Sequence, residues 1–252
     1  MINNNLIYTI IATSGLSLIL FVVYPNLDIK FSECFYTYQE GFVYRNNPLI
    51  LFIFQAIPVL TRIFVIGILV HLLYNVIQSL LVKVSVESCL NQLANDARLP
   101  RDLTITRNDD VKKSILLLPT FYLLITISIG PGLIVNYILK DHFGRARPAQ
   151  ITYFHGNKEF TPAFVISNQC INNCSFSSGH AAISYYLTSV AYLCSSVYFT
   201  RIYFSAIFFG TMVGFIRILM GGHFLSDVIA SCFIILIVNH LCYVLWKKLK
   251  SI

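Results

Sequence analysis

Ionisable side chains gather at three places in a chain that is otherwise strongly apolar. Such groups are costly inside a membrane, so each one is a candidate functional residue. They comprise three cations, two histidines and one carboxylate: Lys140, Arg147, Arg217, His180, His223 and Asp227. Cations can hold a phosphoryl group, and a histidine can attack it or carry a proton. The residue types therefore predict a site that handles phosphate.

The first cluster is basic and follows a long apolar stretch. Lys140 supplies a compact point charge and Arg147 a planar fork of donors, which together suit a phosphate. A basic loop beside a membrane helix could equally bind lipid headgroups or anchor the helix. The cluster is therefore weak evidence on its own.

In the second cluster, Ser178 and Gly179 precede His180 at the predicted start of an apolar helix. A helix N-terminus exposes backbone N–H groups and the positive end of the helix dipole, so it can bind an anion. His180 could then donate a proton to a departing oxygen. Taken alone, such residues are more often a serine cap followed by an interfacial histidine.

The third cluster places His223 four positions before Asp227, so that on a helix the two share a face and can hydrogen-bond. A carboxylate that holds one ring nitrogen fixes the tautomer and frees the other nitrogen to attack. Gly221 and Gly222 let the chain turn from one helix to the next. A single histidine–aspartate pair more often forms a structural hydrogen bond. All three clusters are predicted to lie on one side of a membrane, however, and this convergence favours a functional site.

The elements that must position these residues are predicted to be membrane helices. The chain of 252 residues is 56% hydrophobic and only 12% charged, with a mean hydropathy of +0.70. Soluble domains carry about a quarter charged residues. Six apolar stretches are long enough to cross about 30 Å of hydrocarbon, near 6–24, 49–80, 114–138, 181–199, 203–221 and 228–246. They predict an all-α membrane protein with six transmembrane helices in one bundle, forming a single domain over 1–252.

The distribution of Lys and Arg predicts an orientation for this bundle. The net charge is +7, and the 83–113 loop and the Lys247–Lys250 tail carry much of the basic charge. That side is predicted to be cytoplasmic, with both termini inside and the first stretch an uncleaved helix. The three clusters then lie at the opposite interface, which is periplasmic in a bacterial inner membrane. Basic groups directly beside an apolar helix favour lipid headgroups as partners and argue against nucleic acid.

Two of the seven cysteines fall just before the second cluster. The spacing of Cys170 and Cys174 could close a small disulfide, and free thiols are the alternative. A zinc site would need further ligands, which the neighbouring sequence does not supply.

The three clusters together resemble the signatures of the type 2 phosphatidic acid phosphatase superfamily. Lys140…Arg147-Pro148 is similar to the first signature in full. Ser178-Gly179-His180 resembles the second, with Ser177 in place of a proline, and Arg217…His223…Asp227 resembles the third, with Ile216 in place of a serine. The motif-bearing core would cover about 114–246.

This resemblance implies a mechanism and a role for each residue. His223 would attack phosphorus, Asp227 would orient it, and His180 would protonate the leaving alcohol and later activate water. The phosphate would be held by three cations and two backbone N–H groups, from Lys140, Arg147, Arg217, Ser178 and Gly179. The resemblance implies no metal and no cofactor, because the cations neutralise the phosphoryl group.

The substrate implied is a lipid phosphate, reached from the bilayer. Three local sequences resemble those of the bacterial lipid A phosphatases, which remove the 1- or 4′-phosphate. They are Gly144-Arg-Ala-Arg147-Pro148, Phe160-Thr-Pro162 and Asn173-Cys-Ser-Phe-Ser-Ser-Gly179. Phosphatidylglycerophosphate and undecaprenyl pyrophosphate phosphatases share the signatures, and a lipid phosphotransferase is a further alternative. The non-enzymatic alternative is a lipid-binding or transport protein whose basic groups only bind headgroups.

Overall fold

Helices make up most of the protein in the computed structural model, which describes residues 4–95 and 118–251. In chain order they are α1 Asn4–Val23, α2 Leu27–Glu33, α3 Pro48–Asn95, α4 Pro119–His142, α5 Gly179–Tyr186, α6 Thr188–Ala191, α7 Ser196–Leu219 and α8 Leu225–Lys250. Two short 3₁₀ turns follow α4, at Pro148–Gln150 and Thr152–Phe154.

Four of the described helices are long and apolar enough to cross a membrane: Pro48–Gln78 within α3, then α4, α7 and α8. A fifth span results if α1 and α2, which are bent by 86°, count as one broken span. The prediction of six spans is therefore supported in part, for the stretches near 6–24, 49–80, 114–138, 203–221 and 228–246.

The predicted span near 181–199 is instead divided into two short helices, α5 and α6, with the start of α7 at its end. The division at Leu187 is stabilised by polar groups that an apolar count ignores. The buried Asn239 amide donates to the Tyr186 carbonyl over 3.3 Å and to Thr188 Oγ1 over 2.7 Å. The Thr188 hydroxyl in turn donates to the Tyr185 carbonyl, a local bond that competes with helix continuation.

Helix α3 is longer than predicted and continues into the expected 83–113 loop as far as Asn95. It contains Pro58 and continues through it as one helix. Residues 96–117 lie outside the described part of the chain.

A small antiparallel hairpin, β1 Tyr36–Thr37 and β2 Gly41–Phe42, departs from the all-α prediction. Phe42 is buried in a cluster with Ala146, Ile151, Phe154 and Phe224. This cluster fixes the hairpin onto the loop that follows α4 and onto the start of α8.

The middle of α4, Ser128–Leu139, is wound as a π-helix. Pro131 cannot donate a backbone hydrogen bond, and the carbonyl of Pro131 accepts one from the Asn136 side chain at 2.8 Å. A π-helical stretch changes which way the following side chains point. Lys140 comes directly after it.

Helix α5 lies at the centre and packs against α4, α7 and α8. Its side chains Ala181, Ala182 and Tyr185 are buried in the main apolar cluster. Gly210 of α7 is required for this approach, because a side-chain carbon there would collide with the Tyr185 ring. The packing leaves the N-terminus of α5, with Gly179 and His180, at the mouth of the bundle.

Candidate active site

The predicted residues come together around the N-terminus of α5. A side-chain carbon at Gly179 would lie 3.3 Å from Lys140 Nζ and 2.7 Å from Asn136 Oδ1, so the absence of a side chain there makes room for both groups of α4. A carbon at Gly222 would lie 2.5 Å from Arg217 Nη2. The two glycines therefore bring the lysine and the arginine against the backbone of the second and third clusters.

Arg147 and Arg217 both line a polar cavity of about 450 Å³ that also borders Gly221 and Gly222. Arg147 is held there by its neighbours. Its Nη2 donates to the Asn173 carbonyl at 2.8 Å, and its backbone N–H donates to Gln150 Oε1 at 3.0 Å. The guanidinium keeps further donors that can point to an anion in the cavity.

The buried ring of His223 has a fixed orientation. Nδ1 lies 2.7 Å from the Ser175 carbonyl oxygen, which can only accept a hydrogen bond. Nδ1 is therefore the protonated nitrogen, and Nε2 carries the free lone pair that a nucleophile needs. Asp227 Oδ2 lies 3.6 Å from Nδ1, which is within ion-pair distance and longer than an ordinary hydrogen bond. The carboxylate supports the imidazole by its charge, and a backbone carbonyl sets the tautomer.

Three hydrogen bonds hold Asp227 itself. Oδ2 accepts from Ser175 Oγ at 2.6 Å and from the Phe224 backbone N–H at 2.8 Å. Oδ1 accepts from Arg145 Nη1 at 2.6 Å. The carboxylate therefore cannot turn towards Nδ1 without breaking strong charge-assisted bonds.

Arg145 is a functional residue that the sequence did not single out. Its guanidinium is fully buried between Asp227 and Asp28, with Nη2 at 2.8 Å from Asp28 Oδ2. It also donates to Ser226 Oγ at 2.9 Å and to the Thr161 carbonyl at 2.8 Å. One available signal was Asp28 itself, since a carboxylate directly after an apolar stretch needs a partner.

Phe54 of α3 joins the two halves of the site. The ring of His180 stacks on it with centroids 4.8 Å apart, and the Arg217 guanidinium carbon lies 4.4 Å from the centroid of the same ring. Contacts of this kind stabilise a cation over an aromatic face. Nothing in the sequence distinguishes Phe54 from the other apolar residues of α3.

Both histidines are neutral near pH 7 in this arrangement. Burial lowers the pKa of His223 to about 3, even though the Asp227 carboxylate opposes that shift. Burial also lowers the pKa of His180 to about 3, and the nearby charges of Arg217, Lys140 and Arg147 add to the effect. A bound phosphate anion would offset those charges and raise the pKa of His180 towards the range of a proton donor.

Several buried polar atoms at this site have no protein partner among the described residues: Ser177 Oγ, Ser178 Oγ, His180 Nε2 and Arg217 Nε. Such atoms are costly unless a ligand pairs with them. The backbone N–H of Ser178, which was expected to bind phosphate, donates at 3.4 Å to the Asp227 carbonyl. Its hydroxyl has no partner among the described residues. Gly179 begins α5, where N–H groups have no intrahelical acceptor.

Cys170 and Cys174 form a disulfide with 5.6 Å between their Cα atoms. The small loop that it closes carries Asn172 and Asn173 to the rim of the cavity. Among the residues with described side chains, Cys34, Cys194, Cys232 and Cys242 are free.

The PAP2 superfamily matches residues 119–251, which is more than half of the chain and includes all three clusters. The chain belongs to the PAP2 superfamily.

Three relatives within the superfamily each carry the name "Lipid A 4'-phosphatase". The protein from Francisella tularensis subsp. novicida is 39% identical over 132 residues, which cover 52% of this chain and 60% of that protein. The proteins from Rhizobium leguminosarum and Rhizobium etli are 38% and 36% identical over 106 and 100 residues, 41% and 40% of this chain and 45% and 39% of theirs. The match thus spans about half the length of these relatives. No solved structure matches the chain.

Proposed function

We propose that this protein is a metal-independent lipid phosphatase that hydrolyses a phosphate monoester through a phosphohistidine on His223. The observation that carries the proposal is the state of this buried ring. Its Nδ1 is committed to the Ser175 carbonyl at 2.7 Å, which leaves Nε2 unprotonated. Arg217 and Lys140 are close enough for their charges to act on this ring, and Arg147 lines one cavity with Arg217, so the three cations can neutralise the phosphoryl oxygens.

In the first step, His223 Nε2 attacks phosphorus and the bond to the lipid oxygen breaks. The three cations hold the equatorial oxygens as charge develops on them. His180 gives its proton to the leaving alkoxide, so the lipid departs as a neutral alcohol. Phe54 keeps the ring of His180 beside Arg217 during this transfer.

In the second step, neutral His180 takes a proton from water, and the resulting hydroxide attacks phosphorus. The bond between phosphorus and Nε2 breaks, phosphate is released and His223 returns to its starting tautomer. Asp227 stabilises the positive charge that the imidazole carries while phosphorylated, from 3.6 Å away.

The substrate proposed is lipid A, an envelope lipid with phosphates on a glucosamine backbone. The apolar helices support a site close to a bilayer, and the three relatives carry the name lipid A 4'-phosphatase. Their names favour the 4′-phosphate over the 1-phosphate for this chain.

The proposed location is a bacterial inner membrane, with the site at the periplasmic interface and both termini cytoplasmic. The support is the excess of Lys and Arg on the other side of the spans. We also propose that the chain is one domain, because Asp28, Arg45 and Phe54 reach the site although they precede the matched region.

A phosphate-release assay on the detergent-purified protein tests the proposed chemistry. Phosphate should be released from lipid A at the same rate with and without excess EDTA, because side-chain cations neutralise the phosphoryl oxygens in place of a metal ion. Loss of activity in EDTA that a divalent ion restores would contradict the mechanism. Lipid binding without phosphate release would instead support a non-enzymatic lipid-binding protein.

Mass spectrometry of lipid A from cells with and without the gene tests the substrate. Cells that express the protein should lose one phosphate, and fragmentation should place the loss at the 4′ position. Transfer of that phosphate to another lipid would indicate a phosphotransferase. An unchanged lipid A profile would exclude lipid A and favour glycerophospholipid or polyprenyl substrates.

A further inference from the structure

The polar cavity at the site is larger than phosphate binding requires. Its volume of about 450 Å³ lies in the range of pockets that hold a whole small organic group. Beyond the phosphate-binding arginines it is bordered by one more cation and three carboxamides: Arg45, Gln150, Asn172 and Asn173. The mechanism above uses none of these four side chains to touch the phosphoryl group.

Arg45 is placed there by the β-hairpin. Its backbone N–H donates to the Phe42 carbonyl at 2.9 Å, and Phe42 is buried in the cluster beneath the site. Gly221 has a φ of +64°, and a side chain there would collide with the Phe42 ring. The hairpin is therefore pressed onto the turn between α7 and α8, which fixes where Arg45 stands.

The disulfide loop supplies the facing rim. Asn173 has a φ of +52°, a conformation that asparagine tolerates better than most residues. Its backbone carbonyl is occupied by Arg147, but its side-chain amide is free. Among the described residues, the side chains of Arg45, Asn172 and Asn173 have no hydrogen-bond or ion-pair partner, so all three can bind a ligand.

The chemistry of this rim fits a sugar. Carboxamides offer both donors and acceptors, and a guanidinium offers a rigid fork of donors, which suit the ring oxygens and hydroxyl groups of a hexosamine. The lining contains no carboxylate among the described residues, so a neighbouring anionic group would not be repelled. A glycerol backbone has too few polar groups to use these partners.

We propose that Arg45, Asn172 and Asn173 form a headgroup subsite that binds the sugar ring carrying the scissile phosphate. This inference rests on the proposed function and deepens it, since it makes the protein selective for phosphorylated glycolipids over glycerophospholipids. Arg45 is a specificity residue, and Arg147 and Arg217 beside it hold the phosphate.

The test compares a substrate that has a sugar with a probe that has none. KM and kcat are measured with hexa-acylated diphosphoryl lipid A, and the inhibition constant is measured with inorganic phosphate. The variants are Arg45→Ala, Arg147→Ala as a phosphate-contact comparison, and Arg201→Ala as a control, since Arg201 is exposed at the far end of α7.

In Arg45→Ala, kcat/KM for lipid A should fall about tenfold, the effect of losing a hydrogen bond from a charged donor, while the inhibition constant for phosphate stays within about twofold. Arg147→Ala should weaken phosphate inhibition, and Arg201→Ala should change neither quantity. If kcat/KM for lipid A and the inhibition constant for phosphate change in parallel in Arg45→Ala, then Arg45 is another phosphate contact and the proposed subsite is overturned. An unchanged kcat/KM would overturn it too. Failure of the proposed function is distinguishable, because the wild-type protein itself would then release no phosphate.

Discussion

His223→Ala is expected to abolish phosphate release, with a loss of at least about 10³-fold that takes the rate to the assay background. The reason is that the variant lacks the atom to which phosphorus is transferred. The other histidine beside the three cations, His180, is assigned to proton transfer. The matched control is His142→Ala. His142 is exposed and its Nδ1 lies 3.1 Å from the Tyr137 carbonyl, so its loss should leave the rate nearly unchanged.

The His180→Ala variant distinguishes the attack of His223 on phosphorus from the proton transfers assigned to His180. With p-nitrophenyl phosphate the leaving group needs no proton, so the first step should survive in this variant. Hydrolysis of the phosphohistidine still needs a base, so release should stop after one p-nitrophenol per protein molecule. His223→Ala should show no such burst. A burst in His223→Ala, or near-normal turnover in that variant, would show that another residue is the nucleophile.

The reacting residues were predictable because their spacing along the chain decides their placement. His223 and Asp227 flank the start of α8, and His180 lies in the first turn of α5, so local helix geometry largely determines their positions. The sequence spacing brings the two side chains within ion-pair distance. It cannot show that Ser175 and Arg145 also bind the carboxylate.

The supporting residues were not predictable, because they come from segments that are distant along the chain. Asp28 and Arg145 meet only after α2 packs against α8. Phe54 acquires its role because α3 passes beside the N-terminus of α5. An aromatic residue in an apolar helix carries no sign of the partner that it will find.

Some features of the fold were likewise predictable from the sequence and others were not. Hydropathy located the long helices well, since α4, α7 and α8 must satisfy their backbone groups internally and present apolar side chains. It did not show that 181–199 is divided into α5 and α6, a division that Asn239 stabilises.

Arg145→Met is the substitution expected to destabilise the fold most. It leaves Asp28 and Asp227 buried without a cation, and loss of one partner from a buried ion pair costs about 3–5 kcal/mol. The unfolding temperature in detergent should fall by roughly 10 °C. The variant protein that remains folded should also hydrolyse its substrate slowly, because Asp227 loses one of its three hydrogen-bond donors. Arg201→Met, at an exposed position, should unfold like the wild type.

A second substitution shows whether uncompensated charge is the cause. Asp28→Asn removes one of the two orphaned carboxylates, so Arg145→Met combined with Asp28→Asn should unfold at a higher temperature than Arg145→Met alone. The two substitutions are then non-additive, as expected for residues in one buried network. A double variant that is less stable than Arg145→Met would mean that the Asp28 carboxylate is not an uncompensated charge, because its bonds from the Ser226 backbone N–H and hydroxyl stabilise it without Arg145. Recovery of stability without recovery of turnover would assign Arg145 a separate role in positioning Asp227 for catalysis.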